Sequence, residues 1–145
     1  PSTYRFLLAS GEGFVTPVGM NSRKGVFRKR SKKWKPDAKR PHPDFSCYLI
    51  RRQVFRQVGE FDEGYEGAYV EDCDYHLRMH KAGVTAVSIN LPYYHVASAV
   101  LKGASSKDAD RIRAYHGKNT ERFKQKWGVL PASPEYYALF KSEEE

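Results

Sequence analysis

The 145 residues, 40% hydrophobic and 14% aromatic, suffice for one small globular domain with an apolar core. No apolar run approaches the roughly 20 residues of a membrane helix, and the N-terminus lacks the charged start and apolar stretch of a signal peptide. The net charge of +8 suggests a nucleic-acid binder until it is divided: residues 23–40 carry ten Lys/Arg against one acid, Asp37, so +9 sits there and −1 elsewhere. The chain starts at Pro1, which fits a processed start or a piece of a longer protein. Cys47 and Cys73 form no CxxC pair and both lie in segments that read as buried. They are expected as small core residues in a reducing compartment, which makes a cytoplasmic location the default.

In chain order, Tyr4, Phe6 and Leu8 alternate as a half-buried strand would, and Gly11 and Gly13 mark a turn. Residues 14–18 read as a second strand, with Pro17 restricting it to an edge or an end. Residues 23–40, with Ser31 and Pro36 inside and Pro41 beside them, lack an apolar period and predict a mobile basic loop. Residues 46–50 form a short apolar run. Over 51–58, Val54, Phe55 and Val58 share one helical face, and Gly59 supplies the stop. A second helix is predicted over 69–82, with Val70, Cys73 and Leu77 inward, Asp74 paired with Arg78 at i,i+4, and Gly83 at its end.

From Thr85 the period changes: Val87, Ile89 and Leu91 alternate as a strand ended by Pro92, with His95 just beyond. A long helix over 107–127 carries Ile112, Tyr115, Phe123 and Trp127 inward and is capped by Gly128. Ser133 and Pro134 open a short aromatic helix through Phe140. Mixed strands and helices place the chain in the α/β class.

The specific signal is an ordered assembly: Ser46-Cys47-Tyr48-Leu49-Ile50-Arg51-Arg52, then Val58-Gly59-Glu60-Phe61-Asp62-Glu63, Glu71-Asp72-Cys73-Asp74, Leu77-Arg78 and Ala82-Gly83. Over residues 44–95 this order resembles the acceptor-side half of a family 2 glycosyltransferase of the GT-A fold. Residues 119–128, with Lys126-Trp127-Gly128, resemble that family's trailing helix. The resemblance implies the C-terminal portion of a GT-A fold, a mixed sheet flanked by helices. It also implies an inverting transfer of sugar from a nucleotide-sugar donor to an acceptor hydroxyl.

An acceptor hydroxyl is a poor nucleophile at neutral pH, so a carboxylate must take its proton as the oxygen attacks the anomeric carbon. By resemblance Asp72 is that base and Glu71 its support; their place at a helix start is expected to keep both ionised. From spacing alone the two acids are ordinary first-turn residues, and only the surrounding assembly reverses that. Asp74 reads as structural, and the match of Asp72-Cys73-Asp74 to an Asp-x-Asp metal motif as coincidence. Arg78 and Tyr65 are candidate substrate contacts, and Tyr93 and Tyr94 offer rings for a sugar.

Arg28, Lys29, Arg30, Lys32 and Lys33 are placed to grip a diphosphate or an anionic acceptor. Some relatives use a His after the last core strand as a metal ligand, and His95 occupies that position. The family's N-terminal nucleotide-binding half, with its Asp-x-Asp pair for Mn or Mg, has no counterpart upstream of Gly11. A divalent cation is therefore expected to be held mostly by a motif this sequence lacks. The competing reading is a noncatalytic module whose residues 23–40 bind nucleic acid or another polyanion, with Trp34 inside the cluster.

Overall fold

The computed structural model describes residues 5, 7–9, 11–20, 36–39, 45–96 and 102–141. They form β1 (Phe14–Met20), β2 (Pro36–Lys39), β3 (Leu49–Ile50), α1 (Arg52–Val58), α2 (Glu71–Lys81), β4 (Ala86–Tyr94), α3 (Ser106–Trp127) and α4 (Pro134–Ala138). This is the mixed α/β class expected from the sequence, and it is consistent with part of a GT-A type fold. By their internal contacts the residues group into two compact units, one of Pro1–Gly59 with Met79–Ala97, the other of Glu60–Arg78 with Ser98–Glu145. No helix among the described residues is long and apolar enough to cross a membrane.

The first unit holds a four-stranded mixed sheet in the order β2-β4-β1-β3, with β1 parallel to β4 and the two outer pairings antiparallel. Val15, Val87 and Ile89 pack with Leu7 and Leu49 into its core. The alternation at the N-terminus does not become a strand. Arg5 and residues 7–9 are helical, Leu7 is buried and Leu8 is 55% exposed, while Tyr4 and Phe6 lie outside the described residues. Arg51 accounts for the difference: its guanidinium donates to the carbonyls of Leu7 and Leu8, satisfying the acceptors that a helical turn leaves open at its end. The same side chain donates through Nε to Glu12 O at 2.8 Å, and its backbone N–H reaches Gly13 O at 2.9 Å.

Pro17 sits in an inner strand rather than at an edge. Among the described residues β3 pairs only with Phe14 and Val15, so no ladder partner there calls for an N–H at Pro17. Nor does Pro92 end β4. Pro17 faces Ile89 and Val18 faces Pro92, so residues 90 and 91 bulge out and Pro92 follows them, a place where proline is admitted. Part of the basic stretch is strand as well: residues 36–39 pair antiparallel with β4, Pro36 opposite Ile89 and Lys39 opposite Val87. Residues 23–35 and Arg40 lie outside the described residues, so Arg28 and Arg30 are not placed.

Cys47 is exposed, contrary to its apolar neighbourhood in sequence. The interior of its turn is taken by rings instead, with Phe14 lying 4.9 Å from Phe45 and 5.1 Å from Tyr48. Thr16 Oγ1 donates to Cys47 O at 2.9 Å and fixes the turn to β1. α1 stops at Gly59, whose φ of 87° is open to glycine at little cost and whose N–H closes onto Phe55 O.

The second unit is built on α3. Ser105 caps it by accepting from Asp108 N–H, and Gly128, in the left-handed region, ends it on Lys124 O. Its buried residues Ala109, Asn119 and Phe123 follow the inward stripe read from the sequence, but with a polar residue in the middle. Phe123 packs with Tyr65, Val70, Cys73, Leu77 and Tyr136, and Trp127, Val129 and Phe140 close the cluster. α4 starts as its sequence predicts, with Ser133 accepting from Tyr136 N–H and Pro134 in the first turn. His76 stacks on Phe140 at 4.2 Å, and its Nδ1 lies 3.2 Å from Tyr136 Oη.

Candidate active site

The segment from Phe61 to Arg78 lies wholly in the second unit. It contains four acids that are not fully exposed: Asp62, Glu71, Asp72 and Asp74. Two of them are neutralised within the unit. Asp62 accepts from Gly64 N–H at 2.9 Å, from Arg122 at 3.0 Å and from Lys126 Nζ at 2.9 Å, and these donors, Lys126 foremost, hold its carboxyl down at about 2. Asp74 is fully buried. Its Oδ2 accepts from Arg78 Nε at 2.9 Å, and its Oδ1 accepts from Trp127 Nε1 and Lys126 Nζ, each at 2.8 Å, and from Tyr65 Oη at 3.4 Å.

Glu71 and Asp72, half-buried in the first turn of α2, have no cationic side chain within ion-pair distance among the described residues. Asp72 Oδ1 accepts from Cys73 N–H at 2.8 Å, which fixes the carboxylate against the helix end. Beside it, burial and then Asp72 itself push the Cys73 thiol up to about 12, so that sulfur stays protonated and is no nucleophile.

At Glu71 burial outweighs the helix end. Its carboxyl is held above the ordinary 4.5, chiefly by desolvation, with the neighbouring charge of Asp72 adding and its own backbone hydrogen bond opposing. The folded state therefore binds this proton more tightly than the unfolded chain. Its contribution to stability is present below 4.5 and lost as pH rises through the raised folded value. Glu71→Gln is accordingly expected to raise the urea midpoint at about pH 7 and to leave it nearly unchanged at about pH 3.

The backbone that delivers this pair is unusual. Gly67, Tyr69 and Val70 have φ of 74°, 74° and 80°, and Val70 is β-branched, a residue type for which positive φ is a true outlier. That strain explains why α2 begins at Glu71 and not at residue 69. Asn119, 2% exposed, holds the segment: Nδ2 shares its two N–H donors among Glu66 O at 2.9 Å, Tyr69 O at 3.0 Å and Ala68 O at 3.3 Å, and Oδ1 accepts from Glu66 N–H at 3.2 Å.

A Cβ on Gly67 would fall 2.5 Å from Tyr115 Cδ2. Gly67→Ala is expected to cost about 1–3 kcal/mol by thermal denaturation, through positive φ and this overlap. Asn119 is the site residue that sequence reading overlooks. Its signal is positional: it lies four residues after Tyr115 and four before Phe123, a polar residue where the stripe calls for an apolar one.

The candidate substrate contacts separate. Arg78 is bound to Asp74 and its guanidinium lies 4.8 Å from the centre of the Tyr75 ring. Tyr65 is buried with its hydroxyl on Asp74, and Arg122 lies 5.5 Å from the centre of its ring. Asp74, Tyr75 and Arg122 all belong to the second unit. His95 belongs to the first unit, half-buried just past β4 with its ring 6.1 Å from that of Tyr93. No three His, Cys, Asp or Glu side chains converge as a metal site among the described residues.

The chain is similar to two curated glycosyltransferases. Both carry the name N-acetylglucosaminyl-diphospho-decaprenol L-rhamnosyltransferase, from Mycobacterium tuberculosis strains CDC 1551 / Oshkosh and ATCC 25618 / H37Rv, and each is 38% identical over 71 residues. The match takes in 49% of this chain and spans 22% of the length of each relative. No family model matches the chain, and the comparison with solved structures found no match.

Proposed function

We propose that the chain is the acceptor-side part of an inverting glycosyltransferase of the family 2 kind, with Asp72 as general base and Glu71 as its support. The observation that carries this reading is the division of the acids: Asp62 and Asp74 are locked to cations, whereas Glu71 and Asp72 are held half-buried without one. Withholding a counter-ion from a half-buried carboxylate costs stability, and such arrangements are enriched where a proton has to be moved. The partial likeness to two rhamnosyltransferases supports sugar transfer as the class of chemistry.

In this reading Asp72 takes the proton of the acceptor hydroxyl as that oxygen bonds to the anomeric carbon of the donor sugar. The nucleoside diphosphate leaves from the opposite face with the bonding electrons, and the anomeric centre inverts. Glu71, with its raised affinity for a proton, holds a second acceptor hydroxyl by hydrogen bond. The described residues do not converge into a divalent-cation site, so no step is assigned to a metal, and His95 is a proposed ligand only together with residues beyond those described.

The relatives' name makes L-rhamnose the first donor sugar to try and a diphospho-linked N-acetylglucosamine the first acceptor. The diphosphate of such an acceptor is anionic, which gives Arg28 and Arg30 in residues 23–40 a partner. The test is rhamnosyl transfer from a nucleotide-linked donor to that acceptor by the protein carrying this chain, with and without Asp72→Asn. Turnover unaltered by the substitution overturns the assignment.

A further inference from the structure

We infer that Asn119 is a positioning residue for the Glu71-Asp72 pair, acting through the backbone of residues 66–70; the functional meaning of this role rests on the reading of that pair given above. One buried amide makes four hydrogen bonds to three loop residues, Glu66, Ala68 and Tyr69, and none of those four bonds goes to another side chain. The three carbonyls it collects belong to a stretch in which Gly67, Tyr69 and Val70 all have positive φ. A chain free to relax would leave that conformation at Tyr69 and Val70, since neither residue is a glycine.

Two further contacts hold the loop on the same helix face. Tyr69 meets the ring of His116 edge-on at 5.6 Å, and Gly67 lies under Tyr115 so closely that no side chain fits. Past the strained pair, Asp74 N–H bonds to Val70 O as the first turn of α2 closes, so the φ of Val70 sets where Glu71 and Asp72 begin the helix. Asn119 is thus one residue removed from the acids in function and far from them in sequence. If the bonds from its amide are lost, the expected consequence is relaxation of residues 66–70 and movement of the carboxylates out of their half-buried setting, with α3 itself intact.

The experiment reads the carboxylates directly. In the isotope-labelled chain, the side-chain carboxyl carbons of Glu71 and Asp72 are titrated by NMR, and amide exchange is followed at Glu66 and over residues 71–73. Wild type, Asn119→Ala and the exposed-site control Glu121→Ala are compared. Expected for Asn119→Ala are a helical circular-dichroism signal like wild type, a Glu71 titration that falls back toward 4.5, and amide exchange at Glu66 and Asp72 faster by about tenfold or more. Glu121→Ala changes none of these.

A folded Asn119→Ala variant with the wild-type Glu71 titration and wild-type exchange at those amides overturns the inference. If Asn119→Ala does not fold, Asn119→Ser, which keeps a polar group but is too short to span the three carbonyls, is judged by the same two readings. None of these readings depends on sugar transfer. Failure of the positioning role is therefore told apart from failure of Asp72 as base, which only the transfer assay detects.

Discussion

Asp72→Asn is expected to lower kcat for sugar transfer by about 10²–10⁴-fold with KM little changed, the range over which a positioned general base accelerates a reaction. The amide is nearly the size of the carboxylate, and its oxygen can still accept from Cys73 N–H as Asp72 Oδ1 does at 2.8 Å, so the start of α2 keeps its shape. What disappears is a basic atom at that position. A loss confined to kcat marks an interaction made in the transition state and absent from ground-state binding. Steady-state kinetics over donor and acceptor concentrations measure it, with circular dichroism as the check on folding.

Two residues along the same helix, the expected outcome reverses. Asp74→Ala is expected to destabilise the protein by about 3–5 kcal/mol, the usual loss when one partner of a buried ion pair is removed and the other charge is left behind. Asp74 has 0% side-chain exposure against 20% for Arg78 and 34% for Lys126, so both cations would lose a partner that is wholly inside. Trp127 Nε1 and Tyr65 Oη would lose an acceptor in the same step. Urea denaturation measures the change directly; in a chain of this size it corresponds to a melting point lower by on the order of 10 °C. Asp72→Asn, by contrast, is expected to change the unfolding free energy from urea denaturation by less than about 1 kcal/mol, since Asp72 has no cation to abandon.

The sequence makes α2 and α3 legible because their apolar stripes and caps are local. Val70, Cys73 and Leu77 are buried as their spacing requires, Asp74 meets Arg78, and Gly128 and Ser133 act where helix ends call for them. The sheet is less legible because its prolines and its first helical turn answer to distant partners. Pro17 depends on how short β3 is, Pro92 on a bulge opposite β1, and Leu7 on Arg51, more than forty positions away. The acidic pair is visible as a motif, whereas the raised proton affinity of Glu71 comes from burial that no local pattern encodes. Asn119 belongs with these: its partners at 66–69 lie about fifty positions upstream, and only the fold brings them together.

Lys126 joins Asp62 to Asp74 while Asn119 holds residues 66–69, so the acid-bearing segment and the trailing helix share one unit although residues 79–97 separate them in sequence. For protein engineering this makes the two segments a matched set. A chimaera that transplants residues 60–78 from a relative while keeping the original α3 would bring in an acidic pair without the helix that holds it. Segment exchanges should therefore be cut at the ends of both segments together, leaving the intervening strand to its own sheet.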